Sequence, residues 1–81
     1  MTHTIDIGEG LYNLLESQTK SFIVLKDERN YVVGDVIVFQ VLAMRKELKM
    51  SVDYLEVEVP GLKNGFIILG LKEIVNDQSN Q

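Results

Sequence analysis

Apolar side chains recur with strand-like and then helix-like spacing at the start of the chain. Residues 2–7 alternate weakly between apolar and polar side chains, as a half-buried strand does. Leu11, Leu14 and Leu15 then recur at helical spacing, and polar side chains occupy the other face. The pattern predicts a first strand followed by a short amphipathic helix over residues 9–17.

Two later segments are apolar on both faces. In residues 21–26 both alternating sets of positions carry apolar side chains, and residues 35–42 form an almost unbroken apolar run. Gly34 precedes the second run and supplies the backbone freedom that a tight turn needs. A strand that is apolar on both faces must be covered on both. In so short a chain we expect a sheet curled into a small barrel, with the helix or a partner chain against part of its outside.

The longest polar-apolar alternation changes its phase in the middle. Apolar residues alternate in one phase from Leu48 to Tyr54 and in the opposite phase from Leu55 to Val59. Because the period of a strand is two residues, its phase cannot change by itself. An extra residue near Tyr54 and Leu55, a β-bulge, would restore the register and bend the strand. The alternative is two separate strands with a break at the same place.

The remainder of the chain predicts a turn, a last strand and a polar tail. Residues 60–65 form a turn cluster, and residues 66–74 form a strand that we expect to pair antiparallel with residues 55–59. We place one domain over residues 1–75 and interpret residues 76–81 as a polar, disordered tail. The predicted fold class is mainly β (α+β): a small barrel of about five strands with one short N-terminal helix.

Composition and charge narrow the classes of protein. The chain has 81 residues, of which 46% are hydrophobic and 25% charged, as in an ordinary small globular domain. It has no cysteine, no secretory signal pattern and no apolar run of the roughly 20 residues that cross a bilayer. We therefore expect a soluble, cytoplasmic protein without membrane contact. A net charge of −4 counts against broad nucleic-acid binding but leaves room for a local basic site.

A charged run lies in the joint between the second and third predicted strands. Lys26, Asp27, Glu28 and Arg29 are adjacent there, and such a run is most often a solvated turn. In the functional interpretation, Lys26 and Arg29 stand at the rim of a cleft, and Tyr31 offers a face on which a nucleobase stacks.

Two further features are candidates for chemistry. Arg45, Lys46 and Lys49 form a basic cluster, which we expect in a loop where it could make a second nucleic-acid contact. His3 is the only histidine, and we expect it to be packed or hydrogen-bonded rather than catalytic. A metal site needs more ligands than this, and no phosphate-binding glycine motif is present, so we expect neither a metal nor a cofactor.

The order of these elements resembles the ASCH domain family, a branch of the PUA-like superfamily of small β-barrels. The resemblance is closest to short bacterial and phage-type members and covers nearly the whole chain, up to about residue 74. The residues that carry it are His3 in a leading strand, Lys20 after the helix, the turn Val33-Gly34-Asp35, and Gly61-Leu62 with Gly65 to Gly70.

The resemblance implies a barrel with a cleft beside the helix. The family has been proposed to bind RNA, some members are coactivator modules, and a few hydrolyse amides on modified nucleosides. The family's cleft motif, G-x-K-x-x-E-x-R, falls on Gln18, Lys20, Ile23 and Leu25, so only the lysine is retained. Loss of the carboxylate and the guanidinium argues against an enzyme.

The leading hypothesis is a module that binds RNA or a nucleotide-like ligand through Lys20, Ser21, Lys26, Arg29 and Tyr31. Lys20 would contact a phosphate or carboxylate, unless it is only a solvated lysine in a connector. Ser21 could donate a hydrogen bond, but no neighbour in the sequence activates it as a nucleophile. One alternative is an amidohydrolase that acts on acylated nucleosides. The other is a protein-interaction module, of coactivator type or self-associating as a homodimer.

Overall fold

The structure is a computed structural model that describes residues 1–74, which form one curled sheet and one α-helix. Residues 76–81, predicted as a disordered tail, lie outside the described residues. The elements in chain order are β1 (Thr2–Asp6), α1 (Glu9–Glu16), β2 (Phe22–Lys26), β3 (Val36–Val41), a 3-10 turn (Leu42–Met44), β4 (Lys46–Glu56) and β5 (Phe66–Glu73).

The five strands are hydrogen-bonded in the order β1-β3-β4-β5-β2. β1 runs parallel to β3, and every other neighbouring pair is antiparallel. β1 and β2 are the two edges of the sheet, which curls into a half-barrel. The prediction of a small, mainly β fold of about five strands with one short helix is confirmed.

β4 is one continuous strand with a bulge, as predicted. Its register against β5 shifts between Val52 and Tyr54, so that Asp53 is the extra residue. Met50 and Val52 are buried before the shift, and Leu55 packs against the same core after it. The bulge therefore keeps the apolar side chains of both phases on one face of the sheet.

Two predictions about β4 are wrong in detail. Lys46 and Lys49 lie within the strand rather than in a loop, and only Arg45 occupies the preceding turn, with a left-handed backbone. The ladder with β3 explains this, because the segment from Lys46 to Ser51 pairs with the whole of β3. The predicted pairing of β4 with β5 is correct, but it spans Met50–Glu56 instead of residues 55–59.

The core lies on the inner face of the curled sheet and is closed by α1. Leu15 of α1 is only 1% exposed and packs among side chains from four strands, so the helix covers part of the sheet on its core side. Tyr12, one turn earlier, donates a hydrogen bond from its hydroxyl to the Glu47 carbonyl at 3.2 Å. The buried apolar residues in this cluster are Leu15, Ile23, Tyr31, Ile37, Phe39, Met50, Val52, Ile67, Leu69 and Leu71.

The turn before β3 depends on Gly34. Its φ is +99°, a region that side-chain-bearing residues rarely adopt, as predicted for this position. The Gly34 amide donates to the Val52 carbonyl at 2.9 Å, and the Val52 amide donates to the Asp35 carbonyl at 2.8 Å. These bonds fix the turn to β4.

A buried ionic cluster joins β1 to this turn. His3 Nε2 lies 2.8 Å from Asp35 Oδ2, and the Val32 amide donates to the same oxygen at 3.1 Å. The α-amino group of Met1 lies 3.1 Å from Asp35 Oδ1. The hydrogen bond from His3, followed by that from Val32, lowers the pKa of Asp35 to about 2. The expectation that His3 is hydrogen-bonded is confirmed. The Tyr31 ring packs beside the His3 ring, and the two ring centroids lie 4.6 Å apart.

Candidate ligand-binding cleft

A cleft of about 450 Å³ opens where the chain leaves α1 and approaches β2. Its volume lies within the range of roughly 300–1,000 Å³ that is typical of small-molecule sites. Three segments contribute to its walls: the connector after α1, the bulged part of β4 and the end of β5. The lining residues are Gln18, Lys20, Ser21, Met50, Asp53, Leu71, Lys72 and Glu73.

The connector is shaped by a left-handed residue just after the helix. Gln18 has a φ of +63°, and its amide donates to the Leu15 carbonyl at 3.1 Å. The Lys20 amide then donates to the Leu14 carbonyl at 3.1 Å, which brings Lys20 back beside the helix. In the motif that the chain resembles, glycine stands at the position of Gln18. Glycine adopts this backbone conformation without the steric cost that other residues incur.

Lys20 is partly buried at the edge of the cleft. Its ammonium lies 4.9 Å from the centroid of the Phe22 ring, within the range of a cation–π contact. Lys72 on β5 supplies a second cation to the same cleft. An anionic group on a ligand would therefore find two ammonium groups here, each able to donate up to three hydrogen bonds.

Two carboxylates balance these cations. Asp53 is the bulged residue of β4, and Glu73 lies near the end of β5. The Gln18 side-chain amide donates to Glu73 Oε1 at 2.6 Å, so the connector and β5 are joined across one side of the cleft. Sequence reasoning missed both carboxylates as site residues. The phase change in β4 was an available signal for Asp53, because bulges often redirect a side chain next to a functional site.

The floor of the cleft is apolar. Met50 and Leu71 line it, and both side chains also belong to the buried core. Ser21 adds a hydroxyl that can donate or accept one hydrogen bond and lies next to Lys20. The cleft thus combines an apolar surface with cations, carboxylates and a hydroxyl. This set suits a ligand that has a flat apolar face, hydrogen-bonding edges and an anionic group.

The charged run from Lys26 to Arg29 lies away from the cleft. Lys26 is the last residue of β2, whereas Lys20 precedes the strand in the connector, so about 20 Å of extended chain separates the two residues. Lys26 Nζ lies 3.8 Å from Glu28 Oε2, and both side chains are largely exposed. Arg29 Nη1 donates to the Thr4 carbonyl at 2.8 Å and so fastens the run to β1. The interpretation of this run as a lip of the same cleft is wrong, and it forms a solvated turn.

Tyr31 is not available as a stacking platform. Its side chain belongs to the core cluster, the residue is only 7% exposed, and its ring packs against His3. The same burial raises the pKa of the Tyr31 hydroxyl. The prediction that Tyr31 offers a free face for a nucleobase is therefore wrong, because its ring is packed in the core beside β1.

The resemblance to the ASCH family aligns Ile23 and Leu25 with a glutamate and an arginine of that family's cleft motif. In the ladder with β5 they lie opposite Leu69 and Ile67, on the core face of β2. Ile23 is buried, and Leu25 packs against the same cluster. Both positions consequently contribute to the core and bring no polar group to the cleft.

A second hollow of about 350 Å³ surrounds the 3-10 turn. Arg45 and Lys46 line it, together with Glu47, while Lys49 does not. The Lys46 ammonium also lies 5.7 Å from the centroid of the Tyr12 ring. The predicted basic cluster is thus divided, and only part of it faces one hollow.

Residues 2–71 match a protein family whose description is a domain of unknown function, DUF3850, and the chain belongs to that family. No curated protein sequence matches the chain. Within residues 1–74, no group of three or more His, Asp or Glu side chains is arranged to hold a metal ion. Nor is the described helix long and apolar enough to span a bilayer.

Proposed function

We propose that the chain is an ASCH-type, PUA-like module that binds RNA or a nucleotide-like ligand in the cleft beside α1. The observation that supports this most is the position of Lys20, which lines a concave site together with Ser21 and Lys72. The resemblance to the ASCH family predicts a lysine in a cleft at this point of the chain. The residues that surround it add the apolar and hydrogen-bonding groups that a nucleotide requires.

A nucleotide has complementary groups for each wall of the cleft. Its phosphate would lie against the ammonium groups of Lys20 and Lys72. The carboxylates of Asp53 and Glu73 can accept hydrogen bonds from the amino and ring N–H groups of a base. The same carboxylates repel a long phosphate backbone, and the net charge of the chain is −4. We therefore expect binding of a single nucleotide or a short single-stranded segment, rather than tight non-specific binding of long RNA.

The test is a calorimetric titration with nucleoside monophosphates and short RNAs, at low and at moderate salt. Lys20→Ala removes a charged hydrogen-bond donor, which is worth about 1.5–3 kcal/mol and corresponds to a loss of affinity of roughly 10–100-fold. Lys26→Ala is the matched control, because Lys26 is the last residue of the strand that follows Lys20 and lies outside the cleft. We expect the control to bind within about twofold of the wild type.

Absence of saturable binding at low salt would refute the proposal. Equal losses in the Lys20→Ala and Lys26→Ala variants would mean that binding depends on overall charge and not on the cleft.

The hydrolase alternative has less support. Lys20 and Ser21 share the cleft, but Ile23 and Leu25 place apolar side chains where the family's motif has polar groups, and both face the core. We therefore propose binding rather than hydrolysis. Incubation with N-acylated cytidines should release no carboxylic acid, and steady release that depends on Lys20 would reverse this choice.

Self-association is a second candidate function, which a separate observation favours. Phe22 and Val24 on the edge strand β2 are 40% and 39% exposed, and Tyr54 on β4 is 46% exposed. Exposed apolar side chains gathered on one part of a small protein often mark a contact with another protein. A mass that rises with concentration in light scattering would support this candidate, and a constant monomer mass would exclude it. The cytoplasmic location and a coactivator-type role stay predictions.

A further inference from the structure

The open edge of β2 presents unpaired backbone groups. The Leu71 amide donates to the Ser21 carbonyl, and the Asp27 amide donates to the Gly65 carbonyl, each at 2.8 Å. Because hydrogen-bonding direction alternates along an antiparallel strand, the odd-numbered residues of β2 bond to β5. The N–H and C=O groups of Phe22 and Val24 therefore point away from β5. Within residues 1–74, no backbone hydrogen bond satisfies these four groups.

The side chains of the same residues lie on the outer face of the sheet and are exposed. Phe22 and Val24 are followed by Lys26, whose side chain is also largely exposed. An edge strand with free backbone groups and apolar side chains is a template for pairing with a further strand. Such a surface accepts many extended segments, so its side-chain pattern has to decide which partner fits.

The pattern of β2 is complementary to itself when read in the opposite direction. In an antiparallel pair with Val24 opposite the partner's Val24, Phe22 lies opposite the partner's Lys26. This Phe22–Lys26 pair occurs twice, once on either side of the two-fold axis, as in any interface between identical surfaces. The pairs are thus one apolar contact on the axis and two cation–π contacts, which stabilise neighbouring strands.

This register also uses the available backbone groups. Phe22, Val24 and Lys26 direct their N–H and C=O groups to the open edge. In this register each of them lies opposite one of the same three residues of the second copy. Only the Lys26 carbonyl already accepts a hydrogen bond, from the Glu28 amide at 2.9 Å. A carbonyl oxygen has two lone pairs and can accept a second bond. A shift of this register by one residue would place backbone groups that already bond to β5 opposite the free ones. No ladder of hydrogen bonds could then form between the two copies.

We infer that two copies of the chain associate through antiparallel pairing of their β2 strands, with Val24 on the two-fold axis. The inference rests on the self-association proposed above and assigns its surface and register. The two five-stranded sheets would then be continuous across the interface.

The first test is Val24→Pro, measured by analytical ultracentrifugation from about 10 μM to 1 mM. Proline at residue 24 removes an N–H that points to the open edge and leaves the bonds between β2 and β5 intact, a position at which edge strands tolerate proline. Val24→Thr is the matched control, since it retains the N–H and the β-branched shape. We expect the wild type and Val24→Thr to reach twice the chain mass of 9.2 kDa, and Val24→Pro to stay at the monomer mass.

A charge exchange tests the register independently. Phe22→Lys should weaken the dimer, because it places a lysine opposite the partner's Lys26, and the double variant with Lys26→Glu should restore it. This pair of variants also decides the matter if Val24→Pro does not fold.

The measurements distinguish a failure of the proposed self-association from a failure of the proposed β2 surface. A wild type that stays monomeric at every concentration would overturn both the self-association and this surface. A dimer that is indifferent to Val24→Pro and to the charge exchange would overturn only the surface.

Discussion

Replacing Gly70 by alanine should destabilise the protein because of one neighbouring ring. Gly70 lies opposite Phe22 on one side and Tyr54 on the other. The Tyr54 ring occupies the space that a Cβ atom at residue 70 would need. Gly70 has no left-handed backbone, so the contact with the ring explains the glycine.

The size of the effect follows from what the ring must do. Moving the Tyr54 side chain away from its preferred rotamer costs about 0.5–1.5 kcal/mol. The ring is about half exposed, so losing its contact with the sheet costs roughly a further 1 kcal/mol, half of what full burial of an aromatic side chain contributes. Alanine in place of glycine also stabilises the fold by about 0.4–1 kcal/mol, because it reduces the conformational entropy of the unfolded chain. We therefore expect Gly70→Ala to lower the free energy of unfolding by about 0.5–2 kcal/mol.

The assay is urea unfolding of the wild type, Gly70→Ala, Tyr54→Ala and the double variant. Once the ring is absent, Gly70→Ala should become neutral or stabilise by up to about 1 kcal/mol, which gives a coupling energy near 2 kcal/mol. Gly10→Ala is the control. Its added methyl group meets open space in α1 and should stabilise the helix by about 0.5–1 kcal/mol. An equal loss from Gly70→Ala with and without Tyr54 would refute the reasoning.

Three further predictions concern the buried cluster, the connector and the core face of β2. Because the pKa of Asp35 is lowered, its contribution to stability is present above about pH 4 and is lost as the pH falls towards 2. Carbon NMR should show the Asp35 carboxyl titrating near pH 2. A midpoint near pH 4, about the ordinary value for an aspartate, would contradict this. Because Gln18 has a left-handed backbone, Gln18→Gly should be more stable than Gln18→Ala by about 1 kcal/mol in urea unfolding, the reverse of the order in a helix. Ile23→Glu should lower the free energy of unfolding by about 3–5 kcal/mol, since it buries an unpaired carboxylate; a variant as stable as the wild type would mean that residue 23 faces the cleft.

The elements of the fold were predictable because their signals are local. The helical spacing of Leu11, Leu14 and Leu15 and the apolar run of β3 identify elements without reference to the rest of the chain. The bulge was predictable for the same reason, since a strand cannot change phase without an extra residue. The start of β4 was misjudged because charged residues such as Lys46 are compatible with either a loop or an exposed strand position.

The cleft was only partly predictable because it is assembled by strand order. Lys20 and Ser21 are adjacent in sequence and could be recognised together. Asp53 and Lys72 reach them only because β5 lies between β4 and β2, which no local pattern specifies. Tyr31 was misassigned for a related reason, because an aromatic residue beside charges is exposed or buried according to what packs on it. Its ring packs against His3, which is 28 residues earlier in the chain.

The central claim is that the cleft beside α1 is the ligand site, and residue-resolved NMR tests it most directly. A nucleoside monophosphate would be titrated into the ¹⁵N-labelled chain at low salt, and the amide shifts would be followed. The proposal predicts saturable shifts clustered at Gln18, Ser21 and Lys72, with residues near Lys26 unchanged. Shifts confined to the hollow around Arg45, or no saturable shifts, would contradict it.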